Sequence, residues 1–442
     1  MPSQFHLLGK RRFLPFFGTQ FLGAFNDNLF KNALVVVLTF QAASWTTLDP
    51  SLLANLAAGI FILPFFLFSA TAGQLADKYD KAALARLVKL LEIAIMGLAA
   101  LGFALHSLPL LLTALFLLGG HSTLFGPVKY AILPQHLHPQ ELIGGNALVE
   151  AATFAAILLG TLAGGLLAGL GNAPGWISLG GLLVALAGYL ASRGIPAAPA
   201  PAPELQLNPN PLVETWRNLR LARQDPSVFQ ALLAISWFWL FGALFLAQFP
   251  AYARHVLGGD ETSVTLLLGI FTMGIGGGSL LCERLSRQRL ALWLVPLGGI
   301  GMSLFGAFIA LASPAPPAIT NALPLSAILT TPGVPWALLA LLLLGISGGL
   351  FIVPLYALMQ VRSAPAQRAR IVAANNILNA LFMVVGALGA GALLSNGLSI
   401  PALFAAAAAL NILALAHLCW HQPEYLQRSS SPPATTGPAS GD

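Results

Sequence analysis

Asp27 and Lys31 stand four residues apart, acid first, in a stretch that is otherwise largely apolar. On a helix that spacing puts both side chains on one face, where they either neutralise each other or offer opposite charges to a ligand. Glu92, Lys129 and Glu150 are embedded in three further apolar stretches. A charge at helix-centre depth in a bilayer costs roughly 2.5–3.5 kcal/mol on insertion scales, so each of the five needs a role. Lys129 either meets Glu150 or snorkels to the membrane surface, and Glu92, near Lys89, reads as structural. Asn26 and Asn28 flank Asp27 and are suited to a polar ligand, a cation or a neighbouring helix. Enzyme chemistry finds no support. His136-x-His138 has no third metal ligand near it, and no nucleophile–base set is evident. Gly345-Ile-Ser-Gly-Gly349 matches the Gly-x-Ser-x-Gly pattern but lies inside an apolar run, where close helix packing explains it. Gly160-Thr-Leu-Ala-Gly164 is a similar small-residue face.

The elements that hold these residues are membrane helices. Of the 442 residues, 57% are hydrophobic and 8% charged, against roughly 25% charged in a soluble domain. The net charge of +6 does not point to nucleic acid, because the basic residues sit at the ends of apolar runs. Cys282 and Cys419 suggest neither a disulfide framework nor a metal site. Lys10-Arg-Arg12 precedes an apolar run reaching about Phe40, too long for the core of a signal peptide. Spans are expected at about Phe13–Phe40, Ser51–Ala76, Leu84–His106, Leu108–Leu133, Glu141–Leu170 and Trp176–Arg193. A second set follows at Val228–Tyr252, Thr262–Cys282, Leu290–Ala312, Trp336–Gln360, Ile371–Leu394 and Pro401–Trp420. This divides the chain into a six-helix bundle over 1–193, a linker over 194–226 with a surface helix near Leu212–Arg223, a second bundle over 227–424, and a disordered tail over 425–442. With the N-terminus in the cytoplasm, all of the 21 Lys and Arg except Arg254, Lys31 and Lys129 fall in cytoplasmic segments or adjoining helix ends. Both termini are then cytoplasmic, and the uncharged stretch Ser313–Pro335 lies outside.

An internal repeat runs in register with the spans. Phe125-Gly-Pro-Val-Lys-Tyr-Ala-Ile-Leu133 and Phe351-Ile-Val-Pro-Leu-Tyr-Ala-Leu-Met359 align Tyr130 with Tyr356, and Asn146 aligns with Asn375 after a small gap. Two six-helix halves in a parallel repeat are the arrangement of major facilitator transporters. Gly73-Gln-Leu-Ala-Asp-Lys-Tyr-Asp-Lys81, with Arg86 beyond, resembles the loop signature of those carriers. A gating latch is expected of it, with Asp77 facing the positive end of a neighbouring helix and Lys78, Lys81 and Arg86 pairing across the seam. Gly277…Glu283-Arg284…Arg287 looks like a degraded copy.

Four segments resemble the lysophospholipid transporter family of the major facilitator superfamily, and the transporter part of fused transporter–acyltransferase–acyl-ACP synthetase proteins. They are Gln20-Phe-Leu-Gly-Ala-Phe-Asn-Asp-Asn28, Gly126-Pro-Val-Lys-Tyr-Ala-Ile-Leu133, the run Gly145–Gly160, and Gly348-Gly-Leu-Phe-Ile-Val-Pro-Leu-Tyr-Ala-Leu-Met-Gln360. The resemblance implies an all-α carrier in the bacterial inner membrane. Such a carrier moves lysophospholipids such as lysophosphatidylethanolamine by alternating access, for reacylation by a separate acyltransferase/acyl-ACP synthetase. It implies a monomer among membrane lipids, with no cofactor beyond a coupling proton or cation. The substrate site is expected at Asp27, Lys129 and Glu150, with Asn26, Asn28, Lys31, Tyr130, Asn146, Tyr356 and Asn379 around them. All five embedded charges lie in the first half, while the second-half spans carry Asn375, Asn376, Asn379, Asn411 and His417 as their main polar groups. The expectation is a head group held by the first half, Lys129 on phosphate and Asp27 or Glu150 on ammonium, and an acyl chain against the second. The alternative on the same fold is a polyspecific proton-coupled exporter of amphipathic drugs.

Overall fold

A computed structural model describes residues 3–40, 50–314 and 322–427. Each apolar run forms a long helix: α1 (Leu14–Phe40), α2 (Pro50–Lys78), α3 (Lys81–Ala104), α4 (Leu108–Ala131), α5 (Leu142–Ala168) and α6 (Ala173–Arg193). The second set is α7 (Pro226–His255), α8 (Glu261–Ser286), α9 (Leu294–Ala312), α10 (Val334–Arg362), α11 (Arg368–Ser395) and α12 (Ile400–His421). Acidic residues between spans are used to start the next helix. Asp80, Asp225 and Asp260 each accept hydrogen bonds from the first free backbone amides of α3, α7 and α8. The linker helix, Pro211–Ala222, is capped in the same way by Asn210.

Among the described residues eleven helices are long and apolar enough to cross a membrane. The twelfth long helix, α1, has 27 residues but is diluted by Asn26, Asp27, Asn28, Lys31 and Asn32. A bilayer-spanning helix with that polar run must bury it against protein.

The packing repeats between the halves. In the first, α1 lies on α5, α2 on α4, and α3 on α4 and α6; in the second, α7 lies on α11, α8 on α10, and α9 on α10 and α12. The halves meet through two equivalent pairs, α2 with α11 and α5 with α8. Glycines bring helices together where side chains would collide. A Cβ on Gly345 would stand 2.7 Å from the Phe271 carbonyl of α8, so the Gly-x-Ser-x-Gly spacing is occupied by helix packing.

Two details differ from the sequence reading. The tail does not begin at Tyr425: Pro423–Leu426 forms a 3-10 turn with Tyr425 fully buried, held by Glu424 on Arg362 at 2.6 Å. The expected disordered tail otherwise falls on 428–442, outside the described residues. Within the Ser313–Pro335 stretch, Leu325–Thr330 is a short helix, and 315–321 lie outside the described residues.

Candidate functional site

The embedded charges form two groups. The first lies inside the first half. Asn26 and Asp27 are successive residues on α1 and diverge from each other. Asn26 turns to α3 and α6, donating to Glu92 Oε1 at 2.7 Å and to the Gly181 carbonyl at 3.2 Å. Asp27 turns to α4, where the Ser122 hydroxyl donates to its Oδ2. Glu92 also holds the Lys89 ammonium at 2.5 Å. His121 sits between the acids, with Nε2 3.1 Å from Glu92 Oε2 and Nδ1 3.9 Å from Asp27 Oδ1. Lys89, Glu92, Asn26 and His121 are all buried. Small residues make room for the ammonium, since a Cβ on Gly23 would stand 2.7 Å from Lys89 Nζ.

The Asp27–Lys31 pair allowed by spacing does not form. Lys31 Nζ donates to Asn28 Oδ1 at 3.1 Å and stands 5.2 Å from the centre of the Phe61 ring. The reason is tertiary: α4 brings Ser122 and His121 to Asp27, and α2 brings Phe61 to Lys31. Asn28 itself donates back to the Ala24 carbonyl at 2.8 Å. His121 and Ser122 are the members that sequence reasoning missed, while Lys89 is the neighbour already read beside Glu92. A histidine inside the fourth apolar run was a readable signal, by the same cost that singled out the carboxylates.

The second group lies at the seam between the halves. Lys129 and Glu150 face the same region but make no direct ion pair among the described residues. Lys129 Nζ donates to Thr153 Oγ1 at 2.7 Å, and that hydroxyl lies 3.2 Å from Gln20 Oε1 on α1. Glu150 accepts from the Tyr130 hydroxyl at 2.7 Å through one oxygen. Its other oxygen is buried without a hydrogen-bond partner among the described residues. Tyr130 stacks face to face on Tyr356 of α10, with centroids 4.2 Å apart and planes 7° apart. Tyr356 accepts from Trp239 Nε1 of α7 at 2.9 Å. One turn away, Asn146 of α5 and Gln360 of α10 exchange reciprocal amide bonds of 2.7 and 3.0 Å. An aromatic wall adjoins this group: Phe154 stacks on Trp239 at 5.8 Å, and Phe238 meets Phe351 at 6.4 Å.

The loop motif lies where the halves meet at the linker end. Asp77 accepts from the backbone amides of Ala369 and Arg370, at 3.0 and 3.3 Å, and from Arg370 Nε at 3.1 Å. It thus caps the start of α11 from the opposite half, where free amides and the helix dipole favour an anion. Gly73 permits this contact, since a Cβ there would stand 2.7 Å from that of Ala373. Lys78 donates to the Leu205 carbonyl of the linker at 2.8 Å, and Lys81 is buried beside this site. Arg86 makes no hydrogen bond or ion pair among the described residues and is not brought to the seam. Near the N-terminus Arg12 grips Glu141 with two bonds of 2.7 and 2.6 Å, and this hydrogen bonding raises the guanidinium's pKa further.

In the second half Asn379 accepts from Ser236 at 2.8 Å, joining α11 to α7, and does not reach the seam group. Asn411 joins Trp237 to Ser303 and the Gly299 carbonyl. His255 and Asp260 fall at the His-x-x-x-x-Asp spacing of acyltransferases. Asp260, however, is committed to capping α8 through the amides of Thr262 and Ser263. Among the described residues no group of His, Cys, Asp and Glu is arranged to hold a metal ion.

Comparison with known proteins places this architecture. The family model described as Major Facilitator Superfamily matches residues 16–328. The lysophospholipid transporter LplT of Serratia proteamaculans (strain 568) is 28% identical over 373 residues, covering 82% of this chain and 83% of that protein. LplT of Yersinia pestis (strain Pestoides F) is 29% identical over 351 residues, 78% of this chain and 77% of that protein. Among solved structures, the human organic anion transporter MFSD10 superposes with a TM-score of 0.70 at 16% identity, over 95% of this chain and 100% of that one. The E. coli fucose:proton symporter FucP superposes with a TM-score of 0.66 at 13% identity, over 92% and 98%. At those identities the structural likeness speaks for the fold alone. The family match extends over most of the chain and agrees with the paired bundles: the chain belongs to the major facilitator superfamily, as a multi-pass membrane transporter.

Proposed function

We propose that the chain carries lysophospholipids, such as lysophosphatidylethanolamine, by alternating access across the bacterial inner membrane. The observation that carries this reading is the pair Lys129 and Glu150. The two are oppositely charged, Glu150 buried and Lys129 half-buried, are not joined to each other, and stand beside an aromatic wall. An ammonium suits the unpartnered oxygen of Glu150, and a phosphate suits Lys129, whose present partner is a neutral hydroxyl. The acyl chain then lies against Phe238, Trp239 and Phe351. Asp27 is a second acid on the same helix as Lys31 and stands ready for a head group, a proton or a cation. The LplT relatives support the substrate class.

With both termini cytoplasmic, the Asp77 latch, the Asn146–Gln360 pair and the tyrosine stack close the cytoplasmic side, as in an outward-facing carrier. The delivered lysolipid would be reacylated by a separate acyltransferase/acyl-ACP synthetase, and the carrier works as a monomer without a bound cofactor.

Uptake of labelled lysophosphatidylethanolamine into proteoliposomes tests the reading, with Asp27→Asn and Lys129→Ala beside the parent. Saturable uptake lost in both variants at normal expression supports it. No uptake by the parent, with drug-driven proton flux instead, overturns it in favour of an exporter of amphipathic drugs.

A further inference from the structure

The linker helix Pro211–Ala222 is amphipathic in the reverse sense to a helix packed on a soluble protein. Its inward stripe is Glu214, Asn218 and Ala222, all buried. Its outward stripe exposes Leu212 by 80%, Trp216 by 54% and Val213 by 42%. Arg217 and Arg220 share that outer surface, and the Arg223 guanidinium lies 5.9 Å from the Trp216 ring and 5.0 Å from Phe229 at the start of α7. An apolar face of Leu, Val and Trp flanked by arginines is the composition of a helix lying in the boundary between head groups and acyl chains.

Its position fits that occupant. The helix packs on α2 and α11, and on the start of α7, where the spans reach the end of the apolar zone. The segment leading into it is tied to α2 by a reciprocal pair, Gln74 Nε2 to the Asn208 carbonyl at 3.1 Å and Asn208 N to Gln74 Oε1 at 2.7 Å. Its apolar stripe therefore stands beside the last turns of α2, at the level of one leaflet surface. The positive charges are complementary to anionic head groups.

We propose that this helix is a docking surface for anionic phospholipid in the leaflet at the linker end of the bundle. Leu212, Val213 and Trp216 enter the acyl boundary, and Arg217, Arg220 and Arg223 hold the phosphates. Because the helix bridges α2 and α11 beside Asp77, lipid bound there engages both halves at the latch.

The test uses the full chain in lipid nanodiscs, carrying Cys419→Ser and a bimane label on Leu212→Cys; Cys282 is fully buried and does not compete for label. A label on Glu204→Cys, exposed on the polar part of the linker, is the reference. The expected result is quenching of the Leu212 label, but not the Glu204 label, by brominated phosphatidylcholine. Brominated phosphatidylglycerol should quench more strongly, with roughly a five-fold local enrichment per arginine. In Arg217→Gln/Arg220→Gln that increment should fall to the roughly five-fold step left by Arg223, while quenching by phosphatidylcholine persists. These arginines are exposed, so an unchanged thermal transition separates lost lipid binding from lost folding. A Leu212 label that no brominated lipid quenches overturns the proposal and leaves the stripe to a soluble protein partner. Quenching that is equal for the two lipids overturns its anionic character. The readout needs no lysolipid, so it stands or falls apart from the transported substrate.

Discussion

The two halves share one packing scheme and differ in what fills it. In the first half, α1, α3 and α4 enclose Asp27, Lys89, Glu92 and His121, and the seam adds Lys129 and Glu150. The interior of the second half holds amides, hydroxyls and aromatic rings instead, such as Asn379 on Ser236 and Phe245 stacked on Phe404 at 4.2 Å. A fold repeated twice can thus be stabilised by buried ion pairs on one side and ring packing on the other. Charge in a low-dielectric interior is costly to rearrange, whereas apolar contacts slide. On the proposed reading, the first half holds the charged head group at fixed positions and the second accepts the acyl chain.

The two halves should differ most when one charge is removed from the first-half cluster. Glu92→Gln leaves the buried Lys89 ammonium without its counter-ion and should cost about 3–5 kcal/mol. Asn379→Ala in the second half should cost about 1 kcal/mol. Thermal unfolding in detergent measures both, and equal losses would mean that the halves are not stabilised differently. The next effect is at the latch. Asp77→Asn weakens charge-assisted bonds worth about 1.5–3 kcal/mol each, so the amides of Ala369 and Arg370 should exchange hydrogen faster. Glu283→Gln, in the degraded copy of the motif, should leave exchange across the seam unchanged. In transport, Lys129→Glu should lower lysolipid uptake by about ten-fold or more, the equivalent of ~1.4 kcal/mol. Trp239→Leu should instead shift the preferred acyl-chain length. Intact uptake in a well-folded Lys129→Glu protein would remove the head-group site from the first half. The smallest effect is Tyr356→Phe, which loses the Trp239 bond but keeps the stack, at about 1 kcal/mol or less.

Long apolar runs dictated the helices, because a bilayer span has to satisfy its own backbone. The repeat of Tyr130 and Tyr356, and the spacing from Gly73 to Asp77, were visible for a related reason. Each is carried by short segments whose residues lie close in sequence, at Phe125–Leu133, Phe351–Met359 and Gly73–Asp77. Side-chain partnerships were less visible. Spacing on α1 places Asp27 and Lys31 on one face, but α4 supplies Ser122 and His121 to the first and α2 supplies Phe61 to the second. Asn146 finds Gln360 from 214 positions away. Such pairings are set by which helices become neighbours, and no local pattern encodes that. His121 is the exception, an imidazole inside an apolar run whose cost is legible in the sequence.

Tyr130 and Tyr356 are counterparts in the repeat, so their contact is one that a half-molecule makes with a copy of itself, as at the axis of a two-fold homodimer. In a homodimer of identical chains both rings would have to keep the same partners. Joined in one polypeptide, they have diverged: Tyr130 donates its hydroxyl proton to Glu150, while Tyr356 accepts one from Trp239. Covalent fusion of the halves is what lets a self-complementary surface become a directional one.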